Sequence, residues 1–268
     1  MIMVGFGLIL IGLILVLYVI NIFSRIKKKK LAVPADFQSL LEENVRYYQL
    51  LSPSDKSRFE TMVQRFLKRT SIEGVGTTVE PLDRVLVAAS AIIPIFGFKD
   101  WEYFNLTNVI LYPDTFNENY QYEGNKRQIL GMVGSGPLNG QMILSRSALR
   151  EGFSNKTDKS NTAIHEFVHL LDKTDGVIDG FPSKLIEHSY SIPWMKLVHK
   201  TIQQITDGHT DINPYGALNE GEFFAVISEY FFERPDLLAE KHPELYQMLT
   251  KIFRQDPSRE YFSQRHRD

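Results

Sequence analysis

The sequence predicts an α+β domain over residues 36–268 preceded by one transmembrane helix, and three features carry that reading. An uncharged apolar run occupies the N-terminus. Two strand-length apolar runs, Val109–Tyr112 and Gln141–Ser145, sit mid-chain, and most of what remains carries apolar residues at helical spacing. With 268 residues, 43% of them hydrophobic, the chain holds enough apolar material for one substantial core.

Met1 to Phe23 has Asn21 as its only clearly polar member. At about 1.5 Å per helical residue it is long enough to cross a hydrocarbon layer about 30 Å thick. Residues 1–24 are therefore expected to be a membrane span. A cleaved signal peptide would carry basic residues before the apolar run and a small-residue cleavage site after it. Here Arg25, Lys27, Lys28, Lys29 and Lys30 follow the run and no Lys or Arg precedes it. By the positive-inside rule this places residues 31–268 on the cytoplasmic face of a bacterial-type inner membrane, as a single-pass protein. Residues 25–35 read as the basic flank and a short linker.

Four consecutive lysines can also mark a nucleic-acid patch, but beside an apolar span they read as a membrane flank. Without the five flank charges, 25 Lys and Arg face 32 Asp and Glu, a formal charge of −7, which gives no net attraction to phosphate backbones. Direct nucleic-acid binding is therefore not expected. The absence of cysteine rules out disulfides, thiolate metal sites and a cysteine nucleophile.

In chain order, Phe37, Leu40, Leu41, Val45 and Tyr48, then Phe59, Met62, Val63 and Phe66, predict a helical hairpin broken at Ser52–Asp55. Gly74 to Gly76 separates it from an alanine-containing helix, Leu82 to Phe96. The two strands follow, with the Gln141–Ser145 strand a candidate edge for an added peptide or a buried strand. Between them Gly131 to Gly140 matches no phosphate-binding loop or dinucleotide fingerprint, so it reads as a hairpin loop. Helices are expected over about Asn161 to Asp172, Pro193 to Ile205 and Asn219 to Phe232, with a last one from Pro235 toward Phe253.

The first of these late helices contains His165-Glu166-Phe167-Val168-His169. Histidines four apart share a helix face, so their imidazoles can converge on one tetrahedral cation. Glu166 is angled to the same opening, where it can take a proton from a water activated by the metal. The alternative is a core helix with two satisfied histidines. A catalytic zinc needs a third protein ligand, and Glu222 answers that need, in a helix whose Phe223, Phe224, Val226, Ile227 and Tyr230 should pack inward. A carboxylate among them is costly unless paired or metal-bound. Asp172 and Glu229 share the faces of the histidines and of Glu222, and are candidates to orient the imidazoles. The remaining histidines, His188, His199, His209, His242 and His266, fit no ligand spacing and read as surface or loop residues.

HEFVHLLD followed by PYGALNEGEFFAVISEYFFERP resembles the Mlc titration factor A family of bacterial zinc peptidases. The second segment is also similar to the zincin catalytic domain of the anthrax lethal factor type. The likeness runs over residues 37–258, through LLSPSDKSRFE, DRVLVAASA, VILYP and HPELYQMLTKIFRQDP. It implies a zincin-like, gluzincin metallopeptidase domain with one Zn2+ held by His165, His169 and Glu222. It also implies Glu166 as general base, and Tyr215 as donor to the oxyanion of the tetrahedral intermediate. Position 226, acidic in thermolysin-like enzymes, is valine here, so the duty of orienting a histidine falls to another residue. The resemblance further implies hydrolysis of a peptide substrate with aminopeptidase-like preference. Its alternative is a tethered binding protein that sequesters a transcriptional repressor.

Overall fold

The computed structural model describes residues 33–134, 139–155 and 157–258, with Val16 and Tyr18. Apart from Val16 and Tyr18, the expected membrane span lies outside the described residues, as do all the basic residues of its flank. Among the described residues, no helix is long and apolar enough to cross a membrane.

The helical N-terminal region contains α1 (Phe37–Asn44), α2 (Arg46–Leu50) and α3 (Pro53–Arg69). The expected hairpin is thus interrupted a second time, at extended Val45. Ser52 caps α3, its hydroxyl accepting from the Asp55 N–H, and Pro53 supplies the first-turn proline. Then come β1 (Ser71–Gly74), α4 (Pro81–Ile95), β2 (Asn108–Tyr112), β3 (Gly131–Val133), β4 (Gln141–Ser145) and α5 (Arg146–Ser154). After these lie α6 (Thr162–Asp172), α7 (His188–Thr206), α8 (Glu220–Glu233), α9 (Pro235–Lys241) and α10 (Pro243–Phe253).

The sheet order is β1-β2-β4-β3, with β1, β2 and β4 parallel and β3 antiparallel to β4. Side chains alternate faces along a strand, so Val109, Leu111, Met142 and Leu144 join the main helical core. Tyr112 and Ile143 instead meet Phe116 in a small cluster on the opposite face.

Several expectations change here. The Gly131–Gly140 stretch opens with β3, a real edge strand. Gln141–Ser145 is interior, paired on both sides, so the buried reading of it holds and the edge role passes to β3. β1 and α5 were not foreseen. The helix expected from Pro193 starts at His188, and the last expected helix divides before Pro243, whose missing N–H suits a first helical turn. Of the two readings for His242 the loop one holds: it joins α9 to α10, half-buried, with Nε2 2.8 Å from Asp211 Oδ1.

Two polar ties lock the helices around the site. Fully buried Asp83 on α4 accepts from Arg146 and Arg150 at 2.8 and 2.7 Å, fastening α5 to α4. Asp211 receives Lys159, Lys241, His242 and the Tyr230 hydroxyl, joining the approach to α6 with α8 and α9.

Candidate metal centre

Helix α6 starts where Asn161 turns the chain, its side-chain oxygen accepting from the Ile164 N–H at 3.2 Å. Ala163, Ile164, Phe167, Val168 and Leu171 anchor it in the core, so the remaining face, with His165 and His169, is held rigidly toward α8. The two imidazoles lie edge to face with centroids 4.6 Å apart. Helix α8 begins at Asn219, which accepts from the Glu222 N–H at 2.9 Å and fixes Glu222 in the first turn. Phe223, Phe224, Val226, Ile227 and Tyr230 are buried as expected, whereas Glu222 is half-buried and faces the histidines.

Ligand atoms of His165, His169 and Glu222 all lie within 4.8 Å of one another. Glu222 Oε2 is 3.0 Å from His165 Nε2 and 3.4 Å from His169 Nε2. Bonds of about 2.0–2.1 Å to a tetrahedral ion separate its ligands by about 3.4 Å, so the spacing fits, as does a donor set of two imidazoles and one carboxylate. Burial pushes Glu222 up, but hydrogen bonds and charge from both histidines outweigh it and hold its carboxyl down to about 2. Burial opposes the His165 imidazolium, and Glu222 and Glu229 overcome that opposition and push it up to about 10.

Glu229 supplies the orienting carboxylate that Val226 does not. Its Oε1 lies 2.8 Å from His165 Nδ1, and its Oε2 accepts from the Asn161 N–H at 2.5 Å. One buried carboxylate thus ties His165 to the start of its own helix and leaves Nε2 directed at Glu222. Asp172 behaves otherwise than expected. Its Oδ2 accepts from the Gly180 N–H at 2.8 Å, whereas its Oδ1 and His169 Nδ1 are both buried without a hydrogen-bond partner.

Glu166 is 6% exposed, and burial raises its carboxyl above the ordinary range. Such a shift brings a carboxylate nearer the working pH of a general base. Its neighbour on the sheet is Gly131 of β3, where an added Cβ would stand 2.6 Å from Glu166 Cγ. Only glycine leaves room for the acid. Sequence reasoning missed this residue because a GMVGSG run resembles a loop.

Tyr215 sits in a short 3-10 helix, Pro214–Ala217, started by Asn213, whose side chain accepts from the Tyr215 N–H. Its ring centroid is 6.0 Å from that of His165, and the side chain is 51% exposed at the mouth of the site. Burial and the charges of Glu222, Glu166 and Glu229 raise its pKa, which keeps it a phenol able to donate. The site thus gathers three metal-type donors, a buried carboxylate and a phenol.

An α+β domain with this His, His, Glu constellation on two buried helices is of the metallopeptidase type. More particularly, the chain belongs to the glucose-regulated metallo-peptidase M90 family, whose sequence profile matches residues 22–254. It is 30% identical over 238 residues to an uncharacterised protein of Synechocystis, covering 84% of this chain and 86% of that one. It is 28% identical over 229 residues to Mlc titration factor A of Serratia proteamaculans, covering 78% and 84%, and 27% identical over 224 residues to that of Escherichia fergusonii, covering 77% and 82%. Membership of this family implies a bound metal, for which His165, His169 and Glu222 are the candidate ligands.

Proposed function

We propose that this chain is a zinc-dependent peptidase. The convergence of His165, His169 and Glu222 within 4.8 Å, with Glu166 buried next to His165 in sequence, is the observation that carries the reading. A zinc ion there would supply Lewis acidity and bring the pKa of water to about 7. The protein's own groups do the rest. Glu166 takes the proton of the attacking water and delivers it to the leaving nitrogen. Tyr215 donates to the carbonyl oxygen as charge develops there, and Glu229 keeps His165 in one tautomer and orientation.

The substrate adds as a strand to the unpaired side of β3, the edge beside Glu166. We place internal cleavage above the aminopeptidase-like preference implied by the resemblance. A groove at the Val133–Gly134 end of β3, lined also by Leu170 and Lys173 of α6, leaves room there for substrate upstream of the cut. We further propose that residues 1–24 anchor the domain to a bacterial inner membrane with residues 31–268 in the cytoplasm.

The test uses the full chain purified in detergent, with metal content measured and hydrolysis of free and N-terminally blocked peptides compared between wild type and Glu166→Gln. One zinc per chain with activity lost in the variant is expected. Equal activity in the two proteins refutes the peptidase reading. A reporter fused after Asp268 that works only outside the cytoplasm refutes the orientation.

Similarity to the Mlc titration factor A proteins favours a second reading in which the tethered chain sequesters a repressor protein. On that reading Glu166→Gln captures the repressor as well as wild type does.

A further inference from the structure

A cavity of about 490 Å³ lies beyond the candidate metal centre, between the 100–106 segment, the end of β3 and the C-terminal turn of α6. Its volume is in the range of pockets that hold a small-molecule-sized group, about 300–1,000 Å³, enough for one or two side chains. Two elements carry the site into it. On α6, Leu170 and Lys173 follow Glu166 by four and seven residues and so continue its face of the helix. On β3, Gly131 abuts Glu166, and Gly134, three residues later, accepts from Lys173 Nζ at 3.1 Å. Strand and helix therefore run side by side in the same sense for about 10 Å, at about 3.4 Å per strand residue and 1.5 Å per helix residue.

The walls differ in chemistry. Trp101, Tyr103 and the largely exposed Phe104 make one side aromatic. Lys173 and Lys184 stand on the other, each donating to a backbone carbonyl, of Gly134 and Thr174 respectively. An ammonium has three donors, so each lysine keeps donors for a ligand. The acids of the lining are Asp100, which is exposed, and Glu102, which Arg65 and Arg69 already neutralise. The helix side of the groove is left cationic.

Resting on the peptidase reading, we propose that this groove is a specificity subsite for an acidic side chain about three residues before the scissile bond, with Lys173 and Lys184 reading the carboxylate and Trp101 forming the apolar wall. The polarity follows from the sheet. A chain adding to β3 in the more stable antiparallel sense runs from the Gly134 end toward Gly131, so its upstream residues approach the end of β3 that lines the groove.

Trp101 reports on the groove, because the only other tryptophan, Trp194, is fully buried elsewhere. The full-length Glu166→Gln protein is titrated with acetylated hexapeptides differing only by Glu or Gln at one position, following tryptophan fluorescence. The Glu peptide is expected to bind about fivefold more tightly, with the difference shrinking as salt rises. The preference should vanish in Lys184→Met and Lys173→Met, and the fluorescence change in Trp101→Phe. Circular dichroism checks that each variant is folded, and Lys184, which does not hold β3, gives the variant less exposed to misfolding.

In the wild type, mass spectrometry of products should place the glutamate about three residues upstream of the cut. Equal affinity of the Glu and Gln peptides, a preference that survives in both lysine variants, or glutamate placed downstream of the cut overturns the proposal. If the wild type cuts nothing yet the lysine-dependent preference is present, the peptidase reading falls and the groove remains as a peptide-binding subsite.

Discussion

Glu229→Gln is the sharpest perturbation of the centre, because it changes charge and hydrogen bonding while leaving volume nearly constant. Glu229 accepts from two N–H groups at once, His165 Nδ1 at 2.8 Å and the Asn161 amide at 2.5 Å. A glutamine has one accepting oxygen. If that oxygen serves His165, its amino group faces the Asn161 N–H, donor against donor, and the reverse orientation faces His165 in the same way. One charge-assisted bond is therefore lost, worth about 1.5–3 kcal/mol for a buried charged acceptor. At 1.4 kcal/mol per tenfold, that is about 10- to 150-fold, matching the usual cost of removing a carboxylate behind a metal-bound histidine. Zinc affinity measured by chelator competition should weaken by that factor, and hydrolysis at saturating zinc should fall by less. An affinity within twofold of wild type would refute the view that Glu229 positions His165.

Gly131→Ala should fold normally and lose about 10- to 100-fold in kcat, because the new methyl meets the Glu166 side chain and displaces it; comparison of Tm with kcat checks this. Tyr215→Phe should lower kcat about 100-fold with little change in KM if, as proposed, the phenol acts on charge present only in the transition state, and steady-state kinetics decide it. Asp211→Asn should destabilise the fold by about 2–4 kcal/mol at neutral pH in urea titrations, because it loosens four donors at once. Those bonds hold the Asp211 carboxyl well below the usual range against the opposing effect of burial. A depressed carboxylate contributes stability above its unfolded pKa near 3.8, so the difference from Asp211→Asn should shrink as pH falls below about 4.

The helix carrying HEFVH was legible because its signal is local: a four-residue histidine spacing, apolar residues on the opposite faces and Asn161 at its start. Glu222 was legible because a carboxylate in an apolar helix needs a partner, and the partners are the two histidines. β1, with one buried residue in the four of SIEG, and α5, a short amphipathic helix directly after β4, gave too little periodic signal to be found. β3 was hidden because glycine runs usually mark turns. Here glycine is required by close approach to Glu166, and that approach is made by residues 35 positions apart in the chain.

By itself the sequence determined the α+β character, the helix that presents the histidines and the residue types able to hold a metal. These depend on hydrophobic period and on spacing within one element, which a linear chain carries in full. Tertiary structure decided which carboxylate orients His165, turning Asp172 to the Gly180 loop and Glu229 to the imidazole. It also decided that β3, and not Gln141–Ser145, forms the sheet edge beside Glu166, and that two lysines line a groove at its end. Each of these is a meeting between separate elements, fixed by how helices and sheet pack together and therefore absent from any local pattern.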